Sequence, residues 1–213
     1  FKYKEKDVPK KYFWFKVQVK GLRGGHSGSD IDKKLGNANK ILTRFLHSIT
    51  RKKYGMALSE IGGGNLHNAI PREAYALLGV KEKYKEDIRV KLNTFLAQVQ
   101  EEYKHTDPGL DIQLESVQIP SKVINKKTTE KLISALYACP HGVIGMSYDI
   151  PGLVETSTNL ASVKMIDNHL VEVGSSQRSS VESQKEYVVN MVSSVFELAG
   201  AKITHNDGYP GWQ

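Results

Sequence analysis

The residues that could do chemistry stand singly, in glycine-rich turns. His26 sits in Gly24-Gly25-His26-Ser27-Gly28, where glycines let a ligand or another backbone approach closely. An imidazole there could donate a hydrogen bond to a carboxylate or to an oxyanion that develops during acyl transfer. It could equally do no more than help cap the helix that follows. Asn68 lies in a loop between two strands, after Gly62-Gly63-Gly64-Asn65-Leu66-His67 and before Ala69-Ile70-Pro71. An asparagine in a turn ordinarily satisfies its own backbone. Arg178 stands at the end of a strand in Ser175-Ser176-Gln177-Arg178-Ser179-Ser180. A guanidinium among small hydroxyl residues can grip a carboxylate through two parallel N–H bonds, although lone arginines mostly face water.

Other chemistries are missing. Cys-x-x-Cys and His-Glu-x-x-His do not occur, and the chain offers no local metal-ligand cluster on this reading, so the expected metal ligands are none. A phosphate-binding Gly-x-x-x-x-Gly-Lys-Ser/Thr loop is also absent. Ser27 is not a nucleophile elbow, because Gly28 falls one place early for Gly-x-Ser-x-Gly. Glu101 and Glu102 are neighbours on a helix and point in different directions, which suits a solvated face better than an acid/base pair. No complete catalytic constellation lies within the chain.

The elements that must position these residues follow from hydrophobic periodicity. Tyr12 to Lys20 alternates as a strand, and Gly21 to Gly28 is a glycine-rich loop. Asp30 reads as an N-cap for a helix carrying Ile31, Leu35, Ala38, Ile41, Leu42, Phe45, Leu46 and Ile49. Strands are predicted over 56–61, 74–80 and 110–117, with an amphipathic helix over 86–103 whose apolar set includes Val90. Beyond Pro120 the pattern restarts with a short helix over 128–138. A hairpin of 158–165 and 169–173 turns at Asp167-Asn168. A final helix over 181–198 turns Tyr187, Val188, Met191, Val192, Val195 and Phe196 inward, and Gly200 is its C-cap. The expectation is an α+β protein of two successive antiparallel sheet-plus-helix units, 1–119 and 120–213, the second a degenerate echo of the first.

Composition narrows the classes. With 213 residues, 39% hydrophobic and 25% charged, the chain can bury a core. No apolar run reaches the length of a membrane helix, and the lone Cys139 cannot form an internal disulfide, which favours a reducing, cytoplasmic setting. The net charge of +7 permits an anionic partner without showing one. Lys2, Lys4, Lys6, Lys10, Lys11, Lys16 and Lys20 crowd the start, and lysines of this kind commonly protect an exposed edge strand. That reading is preferred to nucleic-acid binding, and no aromatic-rich RNA-binding strand is present. The start at Phe1 and the turn-rich close Asp207-Gly208-Tyr209-Pro210-Gly211-Trp212-Gln213 suggest a piece of a longer protein.

Taken together, Gly24-Gly25-His26-Ser27-Gly28, Gly62-Gly63-Gly64 and Asn68-Ala69-Ile70-Pro71 resemble the lid or dimerisation domain of the di-zinc peptidase superfamily that includes carboxypeptidase G and carnosinase. A second unit containing Thr156-Ser157-Thr158-Asn159-Leu160-Ala161-Ser162-Val163 and Gln177-Arg178-Ser179-Ser180 is most similar to the aminoacyl-histidine dipeptidases. The resemblance runs along essentially the whole chain. It implies a ferredoxin-like, internally duplicated lid of a zinc-dependent enzyme that hydrolyses Xaa-His dipeptides such as carnosine. Two zinc ions would bind on a catalytic domain of the same polypeptide outside this chain, which alone would be inactive, and the lids would pair as a homodimer. Under it His26 matches the lid histidine that supports the oxyanion, Asn68 the asparagine that contacts substrate, and Arg178 the arginine for the dipeptide's C-terminal carboxylate. In relatives with a single lid unit an arginine follows that asparagine by thirteen positions, and here the position is Lys81. Lysine lacks the planar fork, so the carboxylate role passes to Arg178. No membrane or nucleic-acid partner is implied. The alternative is a non-enzymatic basic module that binds nucleic acid or other anions.

Overall fold

The structure, a computed structural model, describes residues 1–167 and 169–206. In chain order its strands are β1 (Glu5–Lys6), β2 (Tyr12–Lys20), β3 (Gly25–His26), β4 (Ala57–Gly63), β5 (Ala69–Ile70), β6 (Ala74–Lys81), β7 (Asp111–Ser116), β8 (Val123–Ile124), β9 (Gly142–Met146), β10 (Val154–Ile166) and β11 (Leu170–Ser179). Four α-helices are interleaved with them: α1 (Ala38–Ile49), α2 (Lys85–Tyr103), α3 (Lys126–Ala138) and α4 (Glu182–Leu198). The architecture is α+β, as the alternation of strand and helix patterns predicts.

A seven-stranded antiparallel sheet runs β11-β10-β4-β6-β2-β7, and β9 adds to β10. The order β4-β6-β2-β7 with α1 and α2 is the ferredoxin-like arrangement of the first half. It meets the β10–β11 hairpin of the second half at one register point, Gly63 opposite Val163. Strand β2 shows why the sheet has one dry face. Its alternate residues Phe13, Phe15, Val17 and Val19 are buried in a core shared with Ile41, Phe45, Leu46 and Ile49 of α1. The residues between them belong to the other face, where Trp14 lies against Gly79 with no room for a β-carbon between.

Several expectations are corrected. Strand β2 is no edge, since β6 and β7 flank it on both sides. Its Lys16 lies along the sheet's second face with the ammonium 4.9 Å from the centre of the Tyr75 ring, a cation–π contact rather than a protected edge. The first helix begins at Ala38, not after Asp30. A short 3₁₀ turn, Ile31–Lys33, ends where Lys34 turns left-handed (φ 54°), and the helix restarts where the Asn37 side chain accepts the Lys40 N–H. Val90 and Tyr187 are 65% and 59% exposed, so they belong to the solvent faces of α2 and α4. Strand β9 was not expected, and β10 and β11 are longer than predicted, pairing from Thr156–Ser179 to Ile166–Leu170. Asn168 of the proposed turn and the stretch 207–213 lie outside the described residues. Among the described residues no helix is long and apolar enough to cross a membrane.

Candidate functional site

The fold brings His26, Asn68 and Arg178 to one end of the strands. β3 and β5 pair antiparallel, setting His26 opposite Ala69 and Gly25 opposite Ile70. The Ser27 N–H donates to the Asn68 carbonyl at 2.8 Å, so Asn68 adjoins the histidine turn. On the β10–β11 hairpin, Arg178 is opposite Ser157 and Ser176 is opposite Asn159. With a side-chain period of two, these four share one face. That face carries the site: the Ser176 hydroxyl donates to His67 O (2.9 Å) and the Asn159 amide donates to Ala69 O (2.8 Å). Gly28 is the meeting point. A β-carbon there would stand 3.2 Å from His26 Nδ1 and 3.3 Å from Arg178 Nη1, so both side chains close over it.

The hydrogen bonds fix which nitrogen of His26 is available. Nδ1 accepts from the backbone N–H of Gly28 (3.2 Å) and of Ser29 (3.3 Å). A nitrogen that accepts from backbone donors carries no proton, so the neutral ring holds its proton on Nε2. His26 is exposed, so Nε2 is the ring nitrogen left to donate to a ligand. Asp30 holds the turn in shape by accepting the His26 N–H at 2.7 Å. Its carboxyl lies below the ordinary carboxylate range, through its hydrogen bond with Lys33 and then that backbone bond. Lys81 lies elsewhere on the sheet. It ends β6 opposite Tyr12, seven residues from Ala74, which is about 23 Å along an extended strand.

The supporting residues were not legible in the sequence. Asp107 is buried, and its two oxygens accept the N–H groups of Arg23 and Gly36, each at 2.8 Å, at either end of the histidine segment. It belongs to a His-x-Asp triplet, His105-Thr106-Asp107, although the sequence reading wrongly counts that motif as absent. Among the described residues no three His, Cys, Asp or Glu side chains are grouped to hold a metal, so those residues do not fit a zinc site. Lys40 of α1 donates to the carbonyls of Leu136, Tyr137 and Cys139 (2.9, 2.8 and 2.7 Å) and closes the C-terminus of α3. Burial lowers the Lys40 pKa and pushes the Cys139 thiol up to about 11.

His141 follows that cap, with Nδ1 3.3 Å from the Asn37 amide nitrogen, which also donates to Leu160 O. Burial, and then the Lys40 charge, lower its pKa from 6.5 to about 4. The unfolded chain takes up this proton below about pH 6.5 and the folded one only near pH 4, so acid favours unfolding in that window. We predict that His141→Gln flattens the fall in stability between these pH values, by at most about 1.4 kcal/mol per pH unit. Denaturant unfolding at a series of pH values checks it, and a parallel acid limb in the variant would contradict it.

Fold and site together define a platform domain that presents a histidine donor and an arginine fork side by side at one end of its sheet. Residues 10–107 match the family model described as a peptidase dimerisation domain. Along 206 residues the chain is 40% identical to the cytosol non-specific dipeptidase of Escherichia coli (strain K12), covering 97% of this chain and 42% of that protein. It superimposes on the crystal structure of aminoacylhistidine dipeptidase from Vibrio alginolyticus with a TM-score of 0.95 and 34% identity, over 100% of this chain and 43% of that one. The chain thus spans about two fifths of the length of either relative. The family resemblance read from the GGHSG and Asn-Ala-Ile-Pro segments is borne out.

Proposed function

We propose that this chain is the lid, dimerisation and substrate-binding part of a cytoplasmic, zinc-dependent dipeptidase that hydrolyses Xaa-His dipeptides, and that it is inactive alone. The observation that carries the reading is that the His26 imidazole and the Arg178 guanidinium meet over Gly28 while the His26 Nδ1 is taken by backbone donors. Similarity to two dipeptidases along almost the whole chain supports it. Zinc, held by residues outside this chain, would supply an activated water and a polarised carbonyl when bound.

This chain's own residues do three things. His26 Nε2 donates to the oxygen of the scissile carbonyl as negative charge gathers there. Arg178 takes the dipeptide's free carboxylate through its fork, which sets the distance from the chain end to the bond that is cut. Asn68, on the loop beside His26, contacts the substrate between them. Two copies pair through the dimerisation domain.

The test is made in the full-length enzyme. Arg178→Ala is expected to raise KM for a free-carboxylate dipeptide about tenfold or more, since a charged hydrogen-bonded group is lost. The C-terminally amidated dipeptide should be little affected, and Arg178→Lys should restore only part of the affinity. An equal rise in KM for the amidated substrate would remove Arg178 from the carboxylate.

A further inference from the structure

Asn159 stands on β10, far in sequence from the histidine turn, and is 1% exposed. Its side-chain Nδ2 donates to the Ala69 carbonyl at 2.8 Å. Its Oδ1 is buried and has no hydrogen-bond partner among the described residues. The Ala69 carbonyl is therefore the one polar contact this buried amide makes. Ala69 is the residue opposite His26 in the β3–β5 pair, and the preceding Asn68 carbonyl takes the Ser27 N–H. From the other half of the chain, one side chain thus grips the two-residue strand against which the histidine turn is laid. Two residues before Ala69 the Ser176 hydroxyl holds His67 O, so this stretch is tethered twice to one face of the hairpin.

We propose that Asn159 is a positioning residue: by holding the Ala69 carbonyl it fixes β5, and through β5 the placement of the His26 imidazole. The proposal rests on the reading of His26 as the oxyanion donor. Displacing such a donor by about 1 Å costs on the order of 10²-fold in rate, while a buried amide that only fills space would leave the chemistry alone.

The test uses the full-length enzyme and a double-mutant cycle. Asn159→Leu, which keeps the volume and removes the donor, is expected to lower kcat about tenfold or more. In a His26→Ala background the same change should alter kcat less than about twofold, because the group it positions is gone. Asn159→Asp, which cannot donate when ionised, should resemble Asn159→Leu. A second readout needs no activity: the Ser27 N–H, which is bonded to Asn68 O, should exchange with solvent about tenfold faster in Asn159→Leu. Unchanged exchange at Ser27 overturns the proposal, as does an equal loss of kcat with and without His26. If instead the parent enzyme cleaves no dipeptide, or His26→Ala keeps the parental rate, the functional reading fails, and the exchange measurement still decides the role of Asn159.

Discussion

In the full-length enzyme His26→Ala is expected to lower kcat about 10²-fold or more with little change in KM. This is the magnitude that follows loss of one oxyanion donor, because the bond forms fully only as the carbonyl oxygen acquires charge. The geometry makes this a clean experiment. His26 is exposed, and its ring bonds only the neighbouring N–H groups of Gly28 and Ser29 and stands 3.5 Å from the Ser29 hydroxyl. Removing the ring should therefore cost about 1 kcal/mol of stability, far less than a core truncation. A lost rate with a melting temperature lowered by no more than about 4 °C assigns the loss to chemistry. His26→Gln, whose amide can still donate, should recover part of the rate. An unaltered kcat in His26→Ala would take His26 out of the reaction.

Some of this was legible in the sequence, and the reason can be given residue by residue. Strand β2 was readable because Phe13, Phe15, Val17 and Val19 alternate with residues of the other face, and period two is a local signal. The apolar stripe of α1 was readable in the same way. Its start was not, because the stripe continues through Ile31 and Leu35 while the backbone is interrupted by left-handed Lys34. Strand β9 escaped because Gly142-Val143-Ile144-Gly145-Met146 carries two glycines, which weaken any strand signal, and it forms only because β10 offers it an edge. The site residues were singled out as polar residues in glycine-rich turns. Their convergence was not visible: His26 reaches Arg178 only through the β3–β5 pair and the register of the β10–β11 hairpin. No role was read for Asp107, Asn159 or Lys40 for the same reason. Each acts through backbone groups dozens of residues away, and no local pattern encodes such a contact.

Asp107 carries the second large effect. Its carboxylate is 1% exposed and takes the N–H groups of Arg23 and Gly36, the two points at which the histidine segment leaves and rejoins the rest of the fold. Without that carboxylate both donors lose a charged acceptor, and the Gly36 N–H loses it in a buried setting. At about 1.5–3 kcal/mol for each such bond, Asp107→Ala should cost about 3 kcal/mol or more. For a domain of this size that is a fall in melting temperature of roughly 6–12 °C. Asp107→Asn, which keeps one acceptor oxygen, should fall between the two. The loss should not stop at stability. With both ends of the segment released, the His26 ring loses its fixed place over Gly28, so kcat should fall even at temperatures where the variant is fully folded. A melting temperature within about 2 °C of the parent, together with a parental kcat, would show that the turn holds its shape through Asp30 and the β3–β5 pair alone.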